Sequence, residues 1–294
     1  MKMFIIAIAT VSAICAPAAT TINSANRFAY GANIGWIDWR GDINNGAVIG
    51  AFVCSGHVWA ANVGWISLGN GPPASGIRYQ NNSASDFGVN HDGMGNLSGF
   101  AYGADIGWIN FTNRDAFGAA FAGPRIDLVT GRLSGFVWSA NCGWISLSNV
   151  FAHVQTDTMD CGPDTDGDGI PDMWERQFSA NLATLNGSGD NDNDGLSNVQ
   201  EFLADTNPLD PNSLLKITLF TAGAGGSPAN LTWSNAETRQ YRVRASTDVA
   251  APQPWPEAGL GLIVPDAGDS TTRSVTGPMS QRFFIVEALK PLAP

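Results

Sequence analysis

Gly99-Phe100-Ala101-Tyr102-Gly103-Ala104-Asp105-Ile106-Gly107-Trp108-Ile109-Asn110 is one of four versions of a single phrase. The first is Phe28-Ala29-Tyr30-Gly31-Ala32-Asn33-Ile34-Gly35-Trp36-Ile37. The second is Gly56-His57-Val58-Trp59-Ala60-Ala61-Asn62-Val63-Gly64-Trp65-Ile66-Ser67. The fourth is Gly135-Phe136-Val137-Trp138-Ser139-Ala140-Asn141-Cys142-Gly143-Trp144-Ile145-Ser146. Such self-similarity marks a repeat architecture. Each phrase reads as a hairpin: two short strands rich in aromatic and β-branched residues flank a turn built on Ala-Asn/Asp, whose side chain tolerates tight turn geometry. A third strand is expected before three of the hairpins, at residues 47–53, 87–90 and 126–129. The last of these joins its neighbour through Thr130-Gly131-Arg132. The first hairpin lacks such a strand. Residues 151–155 would supply it, closing the units into a ring or barrel and hiding the open sheet edges.

The repeated aromatic residues admit two readings. One large ring per unit can fill a shared core, or exposed rings can stack on sugars. Tyr30, Trp59, Tyr102 and Trp138 occupy the first strands; Trp36, Trp65, Trp108 and Trp144 occupy the second. Residues two apart share a strand face, so Phe100 and Tyr102 lie together. The expectation is one row in the core and the other available as a surface. Trp39, outside the phrase, is an additional surface candidate.

Beyond the repeats the text changes. Asp164, Asp166, Asp168, Ile170, Asp172 and Glu175 fall at positions 1, 3, 5, 7, 9 and 12 of a loop with Gly169 at position 6. Asp190, Asp192, Asp194, Leu196, Asn198 and Glu201 repeat the spacing around Gly195. Ca²⁺ takes six to eight hard oxygen ligands, and this spacing wraps a chain around one ion. The Asp residues at 1, 3 and 5 would give single oxygens, Ile170 and Leu196 a backbone carbonyl, and Glu175 and Glu201 both carboxylate oxygens. Asp172 and Asn198 would ligate directly or through water. A helix is expected after each loop, over residues 171–178 and 197–204.

Charge supports the metal. Residues 157–212 hold 13 of the 26 acids and one base, Arg176, a local charge of 1 − 13 = −12, which leaves −11 + 12 = +1 for the rest of the chain. So dense an acidic run repels itself without counterions. The acidic balance and the lack of a basic patch argue against a nucleic-acid partner.

The phrase Asp194-Gly195-Leu196-Ser197-Asn198-Val199-Gln200-Glu201-Phe202-Leu203-Ala204-Asp205-Thr206-Asn207-Pro208-Leu209-Asp210-Pro211 resembles the thrombospondin type 3-like and dockerin-like (EF-hand loop) calcium repeats of secreted bacterial proteins. The resemblance implies that Asp205, Asn207 and Asp210 add ligands. The Gly-Trp-Ile phrase resembles β repeats of secreted bacterial proteins. Leu231-Thr232-Trp233 followed by Tyr241-Arg242-Val243 resembles fibronectin type III-like modules, whose Trp and Tyr belong to the core. Strands are expected near residues 216–221, 230–234, 240–246, 271–275 and 282–287, with a turn-rich stretch at 223–227, as in a β-sandwich.

Residues 1–19 read as a signal peptide, with Lys2 ahead of an apolar run and Ala16-Pro17-Ala18 as a small-residue cleavage site. No membrane span is expected after cleavage. Cleavage leaves Cys54, Cys142 and Cys161, one disulfide and a leftover or none. The three histidines, His57, His91 and His153, lie in no catalytic motif. The sequence therefore describes a mainly β, exported, non-enzymatic chain. Its parts are a signal peptide (1–19), a repeat-built β domain of four three-stranded units (20–156), a calcium-binding loop-helix connector (157–212) and a C-terminal β-sandwich (213–294). The expected partners are protein or glycan at the cell surface.

Overall fold

The computed structural model describes residues 20–42, 44–73, 76–112, 122–221, 228–276 and 283–293. The expected signal peptide, the turn at 223–227 and Arg282 lie outside them. The described residues cluster as two compact units, one from within Ala13–Thr165, Pro171–Ala180 and Leu292–Pro294, the other from within Asp166–Ile170 and Asn181–Pro291.

In the first unit the repeats become hairpins as expected. The first is β1 (Ile22–Gly31) and β2 (Gly35–Asp38). The second adds β3 (Val48–Ile49) to β4 (Cys54–Ala60) and β5 (Gly64–Gly69). The third adds β6 (Val89–His91) to β7 (Leu97–Gly103) and β8 (Gly107–Asn110). The fourth adds β9 (Arg125–Ile126) to β10 (Leu133–Ser134), β11 (Phe136–Ser139) and β12 (Gly143–Ser146). Each hairpin turns through three residues. The Gly of Gly-Trp-Ile follows at positive φ, +79° at Gly35, +73° at Gly64, +68° at Gly107 and +75° at Gly143. The chain leaves each turn through a left-handed residue, so Gly recurs there.

The ring closes. β12 pairs with β1, Tyr30 opposite Ser146, so β1, β2, β4, β5, β7, β8, β11 and β12 form a closed sheet with no free edge. β13 (Val154–Thr156) then pairs with the start of β1, supplying the outer strand that the first hairpin lacked. Trp36 faces Tyr30 inside a hairpin, but Asp38 faces Trp59 at the next junction. The same two-residue step recurs at Ser67–Tyr102, Asn110–Trp138 and Ser146–Tyr30, giving a shear of 4 × 2 = 8. An eight-stranded barrel has room only for its own side chains. Ile37, Ile66, Ile109 and Ile145 point inward, opposite Ala29, Val58, Ala101 and Val137. Large and small alternate, and a gap of only about 20 Å³ remains among them.

The aromatic rows correct the expectation. Residues directly opposite on antiparallel strands share a face, so Tyr30–Trp36, Trp59–Trp65, Tyr102–Trp108 and Trp138–Trp144 all stand outside. Trp36, Trp65, Trp108 and Trp144 are 46, 44, 44 and 42 % exposed, whereas the adjacent isoleucines are 1 to 3 % exposed. A lumen this narrow takes isoleucine and alanine, not four indoles. Trp39 moves the other way: it is buried against Phe111 in the next inner layer, the place held by Leu68 and Leu147 in other repeats.

Cys54 and Cys142 are buried free thiols, so neither takes part in a disulfide. Burial pushes the Cys54 thiol up to about 12. His91 is fully buried; Gly95 N–H donates to its Nε2 at 3.0 Å, which leaves Nδ1 to donate to the Gly50 carbonyl at 3.1 Å. Burial lowers its pKa, so it stays neutral as a structural brace. Residues 157–165 and 171–180, read as connector, cluster with this unit. Asp160 pairs with Ile49 and Ala51, and Met173 of α1 (Asp172–Glu175) packs on Val53 and Tyr79.

The second unit holds α2 (Asn198–Ala204) and two antiparallel sheets. One contains β14 (Ile217–Thr221), β15 (Ala229–Ser234) and β17 (Ser270–Val275), the other β16 (Gln240–Ser246) and β18 (Phe283–Leu289). Leu231 and Trp233 from one sheet meet Tyr241, Val243 and Val286 from the other in one core, a sandwich of five strands among the described residues. Among the described residues no helix is long and apolar enough to cross a membrane.

Candidate metal centre

The two acidic loops have the same backbone because the same positions demand it. Position 6 is left-handed in both, φ +95° at Gly169 and +96° at Gly195. Position 4 is left-handed too, Gly167 at +76° and Asn193 at +63°, and Asn is among the few side chains that tolerate it. Position 7 donates back to position 5: Ile170 N–H to Asp168 Oδ1 at 2.9 Å, and Leu196 N–H to Asp194 Oδ1 at 2.7 Å. These constraints fold each loop inward. Carboxylate oxygens of Asp164, Asp166 and Asp168 lie within 4.8 Å of one another, and so do those of Asp190, Asp192 and Asp194.

Position 12 lies in the helices. Glu175 is the last residue of α1 and Glu201 sits in α2; both are fully buried. α2 begins at Ser197, whose N–H donates to Gln200 Oε1 at 2.9 Å, one arm of a capping box. It ends at Asp205, left-handed at φ +56°. Arg239 holds that end, donating to the carbonyls of Leu203 at 2.9 Å and Phe202 at 2.7 Å, and so ties the helix that carries Glu201 to the sandwich.

Position 9 has a task the spacing does not reveal. Asp172 Oδ1 accepts from Thr165 N–H at 2.7 Å, and Oδ2 from the Thr165 hydroxyl at 2.6 Å. Asn198 Oδ1 accepts from Asn191 N–H at 3.4 Å while its Nδ2 donates to Asn191 Oδ1 at 2.9 Å. In both loops position 9 clamps position 2. The residues added by resemblance are also engaged: Asp205 with Thr238 and Arg239, and Asn207 and Asp210 with their own backbone turns.

Among the described residues, Asp192 Oδ2, Asp194 Oδ2 and Glu201 Oε2 are buried oxygens with no hydrogen-bond partner. Buried polar atoms are otherwise almost always satisfied. Burial, then the charges of Asp192 and Asp194, push Glu201 up to about 8, and burial raises Asp192 as well. A hard divalent cation answers both problems, since it ligates the orphan oxygens and cancels their repulsion. The donor set, all carboxylate and carbonyl oxygen, fits Ca²⁺.

The family model for the bacterial TSP3 repeat matches residues 164–177 and 190–211. Those residues are the two loops with their exit helices, so this stretch is similar to a calcium-binding repeat typical of extracellular proteins. No curated protein and no solved structure matches the chain significantly.

Proposed function

We propose that this is an exported, non-enzymatic calcium-binding protein of the cell surface or extracellular matrix, with a structural or adhesive role. The observation that carries the reading is the pair of matching Asp triplets, one of them backed by orphaned buried carboxylate oxygens. Asp164, Asp166, Asp168 and Glu175 hold one ion with the Ile170 carbonyl; Asp190, Asp192, Asp194 and Glu201 hold the other with the Leu196 carbonyl. Asp172 and Asn198 brace the loops. Two Ca²⁺ offset part of the segment's charge, −12 + 4 = −8, and make ordering of the connector depend on metal. Extracellular modules of this type bind at roughly 10⁻⁴–10⁻³ M, so ambient calcium keeps the stretch between the repeat domain and the C-terminal sandwich rigid. The test is limited proteolysis with and without chelator. Cleavage within residues 157–212 should appear only in chelator; an identical pattern in both overturns the reading.

A second reading is carbohydrate binding by the repeat aromatics. It is favoured by the exposure of both aromatic rows on the outer wall of the barrel.

A further inference from the structure

Each hairpin presents an aromatic pair outward, and the rings lean on one another. Tyr30–Trp36, Trp59–Trp65 and Tyr102–Trp108 have centroids 4.9, 4.8 and 4.8 Å apart at 63, 59 and 58°. A residue two places back on the first strand supports each Trp from behind, at 6.1 Å for Phe100–Trp108 and 6.3 Å for Phe136–Trp144. The rings are held before any ligand arrives, so little conformational entropy is lost on binding.

Shear places a polar side chain beside each pair. Asp38 stands directly opposite Trp59, Ser67 opposite Tyr102, Asn110 opposite Trp138 and Ser146 opposite Tyr30. Three of the four are neutral, and Asp38 is paired with Arg27 at 3.3 Å. The wall therefore offers aromatic faces and hydrogen-bonding groups with almost no net charge. A nucleic acid or anionic lipid would need cations there. A bilayer would need strands of about 9–11 residues, and β2, β8 and β12 have four each.

We propose that the outer wall of the barrel binds a neutral polysaccharide, each hairpin stacking a pyranose face on its Trp and hydrogen-bonding sugar hydroxyls through the polar residue of the adjoining hairpin. This rests on the carbohydrate reading above and adds the ligand class, the contacts and the multiplicity. Four related sites on one rigid barrel, the third with Phe87 packed beside its pair, suit a polymer with repeating units, because engaging a second site is then intramolecular.

The test is affinity electrophoresis of the mature chain in gels containing galactomannan, arabinoxylan, mixed-linkage β-glucan or dextran. Alginate serves as the anionic arm, and flotation with phosphatidylcholine vesicles as the lipid arm. At least one neutral polysaccharide should retard the protein. Trp65→Ala should weaken that binding about tenfold, as expected for an aromatic anchor, and Trp65→Phe should recover most of it. Ser67→Ala should weaken it about threefold, the size of one hydrogen bond. Phe151→Ser, off the belt though 87 % exposed, should change nothing. Near-UV circular dichroism checks folding, and Ser67→Ala remains informative if the Trp variants misfold. Failure of every polysaccharide, alginate included, removes the carbohydrate reading itself. Retardation that survives Trp65→Ala, Trp144→Ala and Ser67→Ala in folded protein keeps that reading and overturns the belt. Retention by alginate alone keeps the carbohydrate reading and overturns the neutral ligand; retention by vesicles alone overturns both.

Discussion

The barrel and the calcium loops are both made by repetition, and they become ordered by opposite chemistry. Four hairpins repeat an isoleucine that enters a shared lumen, so each added unit buries more apolar surface and the last one seals the edge left by the first. Two loops repeat an Asp triplet and a buried Glu, so each unit concentrates more like charge and leaves oxygens such as Glu201 Oε2 without a partner. The barrel satisfies itself. In the proposed function the loops take a cation from solution. On that reading, one chain thus couples a part ordered by its own apolar core with a part ordered by a cation.

The sharpest way to break this contrast is calcium removal. Chelation should abolish order in residues 157–212 while the thermal transition of the barrel persists; joint loss of both, followed by calorimetry or amide exchange, would erase the distinction. Next comes the barrel's own core. Ile66→Ala should cost about 2–5 kcal/mol in barrel stability, read by denaturant unfolding, with calcium affinity unchanged. A smaller effect is expected at the clamp: Asn198→Ala leaves every proposed ligand in place but frees Asn191. Calcium affinity should fall about 10–100-fold, as when outer partners of ligands are removed. Titration calorimetry measures it, and unchanged affinity would deny position 9 its role.

The finest test concerns the barrel's rim. Asn33 donates to the Cys142 carbonyl at 3.1 Å, Asn62 to Ile34 at 3.1 Å and Asn141 to Ile106 at 3.0 Å, each turn gripping its neighbour. The third turn carries Asp105 instead, and a carboxyl group has no amide N–H to give. Asp105→Asn should complete the ring toward the Val63 carbonyl and stabilise the barrel by about 1 kcal/mol. A melting temperature that does not rise would count against the ring as a stabilising element.

Much of this was legible in the residues. Gly-Trp-Ile announced the hairpins because a left-handed turn residue followed by bulky β-formers is a local signal. The loops were legible because ligand spacing is counted along the chain. Residues 151–155 were expected to close the first unit, and Val154 and Thr156 do so. The outward placement of the indoles was not legible. Alternation says that Trp65 and Ile66 face opposite ways, but not which way is in.

Local chemistry alone thus determined that the chain is mainly β, that its front is a fourfold repeat and that two loops gather oxygens around a common point. Turn geometry and side-chain alternation act over a few residues, so they can be read from a few residues. Only the tertiary structure decided that the lumen takes Ile66 and expels Trp65, that Trp39 lies in an inner layer, and that Asp172 and Asn198 hold their loops by hydrogen bonds. Those outcomes depend on the bore set by strand number and shear, and on which backbone groups the closed chain brings within reach.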